Sequence, residues 1–258
     1  MEDLKHRYFV RISFNGENYH GWQIQPNKIT VQEVLEEKFS TILGNKIQII
    51  GAGRTDSGVH ARNYIFHFDI NKSIDNIDKI IFRLNSFIPD NISIHQMWEV
   101  PGDLHARFDA IYRTYEYHIH IEKDPFIKSL SHYLYYTPDI EKMNKAATIL
   151  LQYSDFTSFC KLHSDNTNNI CKIISAEWTR DEYRFVFRIC ANRFLRNMVR
   201  AITGTMLEIG RNKLSIDQFK EIIDKKDRSA AGCSVPSNGL FFTEVAYPEF
   251  QIRQDSSA

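Results

Sequence analysis

No stretch of the 258-residue chain approaches the roughly 18 continuous apolar residues of a membrane span. The opening segment, MEDLKHRYFVRISF, also lacks the apolar core and small-residue cleavage site of a secretory leader, so a cytoplasmic protein away from membranes is expected. Cysteine is scarce: Cys160, Cys171, Cys190 and Cys233 show no C-x-x-C pairing, which speaks against a disulfide framework or a zinc site and for free thiols in a reducing compartment. Neither sign of charge predominates, with 32 Lys and Arg against 32 Asp and Glu, so any surface for a polyanion must come from local segregation. There is no phosphate-binding glycine loop followed by Lys, no H-E-x-x-H and no G-x-S-x-G, which leaves nucleotide hydrolysis, zinc proteolysis and serine hydrolysis without support. What is present is a hydrophobic content of 43% and a charged fraction of 25%, enough for one large core or two modest ones.

The hydrophobic pattern repeats an order of elements. Tyr8, Val10, Ile12 and Phe14 alternate with polar or smaller neighbours, the period of a strand with one buried face. Thr30 and Glu33 fit a capping box ahead of a helical stripe of Val31, Leu35, Phe39 and Leu43, which Gly44 can end. Strand-like runs at 46–52 and 62–70, a helix at 75–86 and a strand at 91–98 complete a β-α-β-β-α-β order. The second half repeats it. Tyr115, Tyr117, Ile119 and Ile121 alternate; Met143, Ala146, Ala147, Leu150 and Leu151 form a helical stripe; strands at 170–180 and 182–190 precede a long helix opened by the Asn192 run and closed by Gly210. A short helix from Ser215 and a strand over Leu240 to Tyr247 follow. The expected class is α+β, with largely antiparallel sheets in two halves, 1–104 and 105–250, joined around a central cleft, and a polar tail at 251–258.

Three segments carry candidate chemistry. GAGRTDSGVHA, residues 51–61, puts Asp56 in a glycine-rich loop beside Arg54, Thr55 and His60. Composition alone more often means an ordinary β-turn with a local ion pair than a reactive carboxylate. HARFDA, residues 105–110, leads into a strand whose Tyr115 and Tyr117 share a face, either to stack on exposed bases or to fill a core. Between 180 and 213 eight basic residues, Arg193, Arg196 and Arg200 among them, meet only three acidic ones, which suits phosphate contact or a solvated face. Arg200 lies close to the apolar stripe of its helix, and a cation there needs a partner. His118 and His120 alternate on one strand face without a third ligand at a recognisable spacing, so they read as structural rather than as metal ligands.

Taken in order, FNGENYHGWQ (14–23), GAGRTDSGVHA, HARFDA with Tyr115, FLRNMVRAITGTMLEIG (194–210) and AAGCSVPSNGLFF (230–242) with the VAYP of 245–248 resemble the tRNA pseudouridine synthase A family. The resemblance implies the pseudouridine synthase fold with two ferredoxin-like halves. It also implies an isomerase that acts on uridines 38, 39 and 40 of the tRNA anticodon stem-loop, as a homodimer and without metal or cofactor. It makes Asp56 the essential aspartate, Tyr115 the tyrosine on the target base, Arg200 the arginine paired with the aspartate, and Arg54 a residue of base flipping. Thr55, His60, Arg107 and Arg196, within the matching runs, are further candidates for contact with the RNA. Phe14-Asn15 stands where Tyr-Asp is common in the family, and Cys233-Ser-Val-Pro-Ser237 where Pro-Thr-Ala-Pro-Ala is common. The same reaction at another RNA uridine and a nonenzymatic RNA-binding protein are the competing readings, followed by a hydrolase using His118 and His120.

Overall fold

The computed structural model describes residues 5–161 and 168–248, and the tail expected at 251–258 lies outside them. The class is α+β, with five α-helices and largely antiparallel strands among the described residues. No helix there is long and apolar enough to cross a membrane. Two compact units divide the chain: residues up to Ile111 together with those from Phe242 on, and Tyr112–Phe241.

The first unit runs β1 (His6–Phe14), α1 (Val31–Leu43), β2 (Ile49–Gly51), β3 (His60–Ile70), α2 (Ile77–Asn85), β4 (Ile92–Val100) and most of β9 (Leu240–Ala246). Its strand order is β4-β1-β3-β9, with β2 also paired to β3. β1 runs antiparallel to both neighbours; Tyr8, Val10, Ile12 and Phe14 are all buried as the alternation predicts, but Phe9 on the other face is buried as well, so the strand has core on both sides there. α1 forms where the capping signal lies, its Thr30 hydroxyl accepting from Glu33 N at 3.3 Å. Its buried stripe of Val31, Leu35 and Phe39 meets the sheet, where the Phe39 ring sits edge-on to Phe66 and Phe68 at 5.5 and 5.4 Å. α2 buries only Leu84, so a side chain does the fastening: Asn85 bonds Ile94 N and Ile94 O, both at 2.8 Å, as a ladder neighbour would.

The opposite face of β1 and β3 carries buried polar groups. Arg7 makes a bidentate pair with Asp69 (2.7 and 2.8 Å), and next to them His67 is 2% exposed with Nδ1 accepting from Ala106 N at 3.1 Å. Burial, reinforced by the charge of Arg7 and by His105, pushes the His67 imidazole down to about 4. The unfolded chain binds that proton near pH 6.5 and the folded chain only near pH 4, so stability is fully present above 6.5 and falls as pH falls through this window. The loss expected by pH 4 is about 2 to 3 kcal/mol. Urea midpoints at pH 7.5 and 4.5 measure it. His67→Gln, which keeps an acceptor for Ala106 N, should flatten the curve, and an unchanged slope in the variant would remove His67 as the cause.

The second unit contains β5 (Tyr112–His120), β6 (His132–Tyr133), α3 (Ile140–Leu150), β7 (Ile173–Asp181), β8 (Arg184–Ala191), α4 (Met198–Gly210) and α5 (Ile216–Lys225). The order is β5-β8-β7, antiparallel, with the short β6 parallel to β5. Met143, Ala146, Ala147 and Leu150 of α3 and Ala201, Ile202, Met206 and Ile209 of α4 are buried, as are Phe185, Phe187 and Trp178 of the sheet. Asn144 of α3 repeats the fastening of Asn85, bonding Trp178 N at 2.8 Å and Trp178 O at 2.9 Å. Two expectations change. α4 begins at Met198, not with the Asn192 run, because Asn197 has φ 67° and a left-handed residue cannot continue a right-handed helix. Phe194 and Arg196 therefore stand before the helix. Leu151, placed in the buried stripe of α3, caps its C-terminus and is exposed.

Candidate active site

Asp56 sits in the loop between β2 and β3, half-buried, with Arg54 beside it exposed. The loop is held from one side by residues 16–22. The Tyr19 carbonyl accepts from both Gly58 N and the Ser57 hydroxyl at 3.2 Å, Trp22 N donates to Thr55 O at 3.3 Å, and Gly16 N donates to His60 Nδ1 at 3.0 Å. From the other side the Tyr64 hydroxyl of β3 accepts from Gly53 N at 3.3 Å and donates to Gly53 O. Val59 N closes the turn on Asp56 O at 3.2 Å. The carboxylate is thus carried by a loop whose backbone polar groups are used on both flanks, the condition for a fixed reactive group on a loop.

The approach of the two segments leaves no room for side chains. A Cβ at position 21 would run into the Thr55 carbonyl and the Asp56 backbone, and Gly21 has φ +87°, a region most L-residues avoid. At Gly16 the obstacle is the Val59 carbonyl. Gly16, Tyr19, Gly21, Trp22 and Tyr64 are therefore site-building residues that sequence reasoning did not single out. The signal was present in the G-x-x-Y-x-G-W spacing of 16–22, but only contacts across about 40 residues of chain give it meaning.

The loop candidates separate by exposure. His60 is 1% exposed and its Nδ1 is taken by Gly16 N, which makes it a brace inside the loop. Thr55 is half-buried, and its Oγ1 is buried without a hydrogen-bond partner among the described residues, a placement that costs about 1 to 3 kcal/mol in a folded protein. Arg107 and Arg196 are exposed.

In the second unit, Tyr115 is paired in register with Ile189 of β8, is 8% exposed, and meets the Phe194 ring edge-on at 5.0 Å. Tyr117, two residues on, is fully buried and donates its hydroxyl to Pro236 O at 2.8 Å. Burial pushes its phenol up, with the charge of Arg200 acting the other way, so Tyr117 is a neutral core residue. Arg200 lies in the first turn of α4, half-buried, its Nε donating to Val235 O at 2.8 Å while Val235 N donates to Arg200 O at 3.2 Å. The segment carrying Val235 is fixed along the helix by Asn197 Nδ2 and Arg228 Nη2, both donating to the Ser234 hydroxyl (2.6 and 3.0 Å). The guanidinium is thereby held by a main-chain clamp, to which the Cys233-Ser-Val-Pro-Ser run contributes the Val235 backbone and the Ser234 hydroxyl.

The basic stretch does not form one surface. Arg188 pairs with Glu116 at 3.1 Å, and the strand register puts both on the face opposite Tyr115 and Ile189. Arg184 reaches Asp124 at 3.8 Å, Arg211 pairs with Glu208 at 3.4 Å, and Arg180 lies over the Phe185 ring at 5.1 Å. Much of the local excess is spent on neighbours; of the remaining bases, Arg193 donates to Asn168 Oδ1 at 3.1 Å and Arg200 to Val235 O. His118 pairs with Glu116 at 3.2 Å, and no three His, Cys, Asp or Glu side chains converge among the described residues.

Comparison with known proteins finds relatives over most of the chain. The family model described as tRNA pseudouridine synthase matches residues 11–109 and 146–248. A protein named tRNA pseudouridine synthase A from Bacteroides fragilis is 51% identical over 94% of this chain and 97% of its own length. Its namesake from Bacteroides thetaiotaomicron is 48% identical, over 94% and 91%. One from Bacillus subtilis is 37% identical, over 92% and 97%.

Proposed function

The chain belongs to the tRNA pseudouridine synthase family, and from that premise we propose that it isomerises uridine to pseudouridine at positions 38, 39 and 40 of the tRNA anticodon stem-loop, with Asp56 as the reactive carboxylate. The observation that carries the site assignment is the bracing of the Asp56 loop on both flanks by Tyr19, Trp22, His60 and Tyr64. A surface turn has no need of such support.

The reaction breaks the N1–C1′ bond, turns the detached base and joins C5 to C1′; a proton leaves C5 at the end and N1 takes one up, so the product is an isomer. Bonds rearrange within one nucleotide without change of oxidation state, so the chemistry calls for no redox group. The Asp56 carboxylate supports it as nucleophile at the base or sugar, or by taking the C2′ proton. A base inside a stem must first leave the stack, at a cost of a few kcal/mol. Arg54, exposed beside Asp56, is the side chain to fill the vacated space. Tyr115 holds the extruded ring, stacking worth about 1 to 3 kcal/mol, and is placed to assist loss of the C5 proton. Arg200, held by the Val235 carbonyl, is the arginine that the family resemblance pairs with Asp56. Thr55, Arg107 and Arg196 contact the RNA, and His60 acts as a positioning residue. Each unit is taken as one ferredoxin-like half, and the working form as a cytoplasmic homodimer.

The test is positional. tRNA transcripts carrying uridine tritiated at C5 should release label on incubation with the protein, and mapping should find pseudouridine at 38 to 40. Label released with pseudouridine only elsewhere would retain the reaction and refute the target; no release would refute the reaction.

A further inference from the structure

The HARFDA turn is built more firmly than a linker between β4 and β5 requires. His105 N donates to Asp109 Oδ2 at 2.6 Å and Asp109 N to His105 O at 3.1 Å, while His105 Nδ1 accepts from Arg107 N and Phe108 N at 3.0 and 3.2 Å. Two N–H donors on Nδ1 leave the ring hydrogen on Nε2, so His105 is an uncharged ring here. Beneath the turn, Ala106 is bonded through N to His67 and through O to the Tyr247 hydroxyl at 2.6 Å, and Leu104 O accepts from Arg7 at 3.0 Å. What these contacts hold up is Phe108, 75% exposed, with the Arg107 guanidinium 5.6 Å from its ring centroid.

The rings form a series from the core outward. Phe9 stacks on His67 at 6.0 Å and 22°, His105 meets His67 edge-on at 4.8 Å, and Phe108 lies 4.4 Å from His105 at 30°. A scattered exposed Phe is ordinary, but this one has a pinned backbone and one side of its ring against His105, with most of the side chain in solvent. A supported phenyl ring beside a guanidinium suits a planar ring next to a phosphate, the repeating chemistry of unpaired RNA. We propose that Phe108 and Arg107 form an RNA-docking element: Phe108 stacks on an unpaired base of the substrate other than the uridine held by Tyr115, and Arg107 takes the adjacent phosphate. The identity of that RNA as tRNA rests on the function proposed above; the stacking itself does not.

The experiment compares wild type, Phe108→Ala and Phe108→Trp by fluorescence anisotropy with a labelled anticodon stem-loop RNA at one fixed salt concentration. Phe108→Ala should bind about tenfold more weakly, and Phe108→Trp should restore binding with its indole emission changing as RNA is added. The melting temperature of Phe108→Ala should fall by little, since the side chain is 75% exposed and gives up only its edge of contact with His105 and Arg107. Wild-type affinity in Phe108→Ala, or no rescue by Trp, would overturn the proposal. So would a change of oligomeric state in Phe108→Ala on size-exclusion chromatography, because the ring would then belong to a contact between copies of the chain. Tritium release by the wild type is read in parallel: its failure would sink the reaction assignment, while the affinity series would still decide the docking element.

Discussion

Asp56→Asn is expected to release no measurable tritium from C5-labelled uridine while still binding RNA. Asparagine is nearly isosteric with aspartate, so the Val59–Asp56 turn and the Tyr19 contacts, which use main chain and Ser57, should survive. What the amide lacks is the anion that attacks carbon or takes a proton. Loss of the reactive group should reduce the rate by at least about 10⁴-fold, or about 5.5 kcal/mol of transition-state stabilisation. RNA affinity should hold or rise slightly, because one negative charge is removed near phosphates. A variant that retains a tenth or more of the wild-type rate would end the assignment of Asp56. A variant that loses binding along with activity would point instead to a structural role for the loop.

The second large effect should come from a residue that touches no substrate. In Gly21→Ala the new methyl meets the Thr55 carbonyl while the backbone is held at a φ of +87°, so the segment and the Asp56 loop must separate. The strain in the left-handed region is about 1 to 2 kcal/mol. Displacing a reacting group by about 1 Å is enough to cost about 10²-fold in rate. The expected result is a kcat lowered by about that factor with KM changed less, because the RNA contacts proposed for Arg107, Phe108 and Arg196 lie outside this loop. Circular dichroism should show the fold intact. Equal losses in kcat/KM through KM alone would mean that the 16–22 segment serves binding rather than placement of Asp56.

Much of this architecture was legible because it follows from periodicity. Tyr8, Val10, Ile12 and Phe14 alternate in a strand whatever surrounds them, and Thr30 caps α1 through a bond three residues away. The start of α4 departs from the sequence pattern for a related reason. FLRNMVR has helical spacing throughout, but Asn197 adopts a left-handed conformation that side-chain periodicity does not report, and the break sets Phe194 against Tyr115. The sum of charges from 180 to 213 misled in a different way. A strand alternates its faces, so Arg188 is drawn to Glu116 on the face away from Tyr115.

By itself the sequence determined the element types, the family and the identity of the candidate groups, since each depends on local pattern or on short ordered motifs. The tertiary structure decided what those groups do for one another. It turned His60 from a contact candidate into a brace, made Tyr117 core and left Tyr115 beside Phe194, clamped Arg200 with a carbonyl 35 residues away, and gave the glycines at 16 and 21 a reason. The physical reason is reach: capping, alternation and helical stripes are settled within a few residues, whereas steric exclusion and hydrogen-bond satisfaction depend on which distant segments share a space.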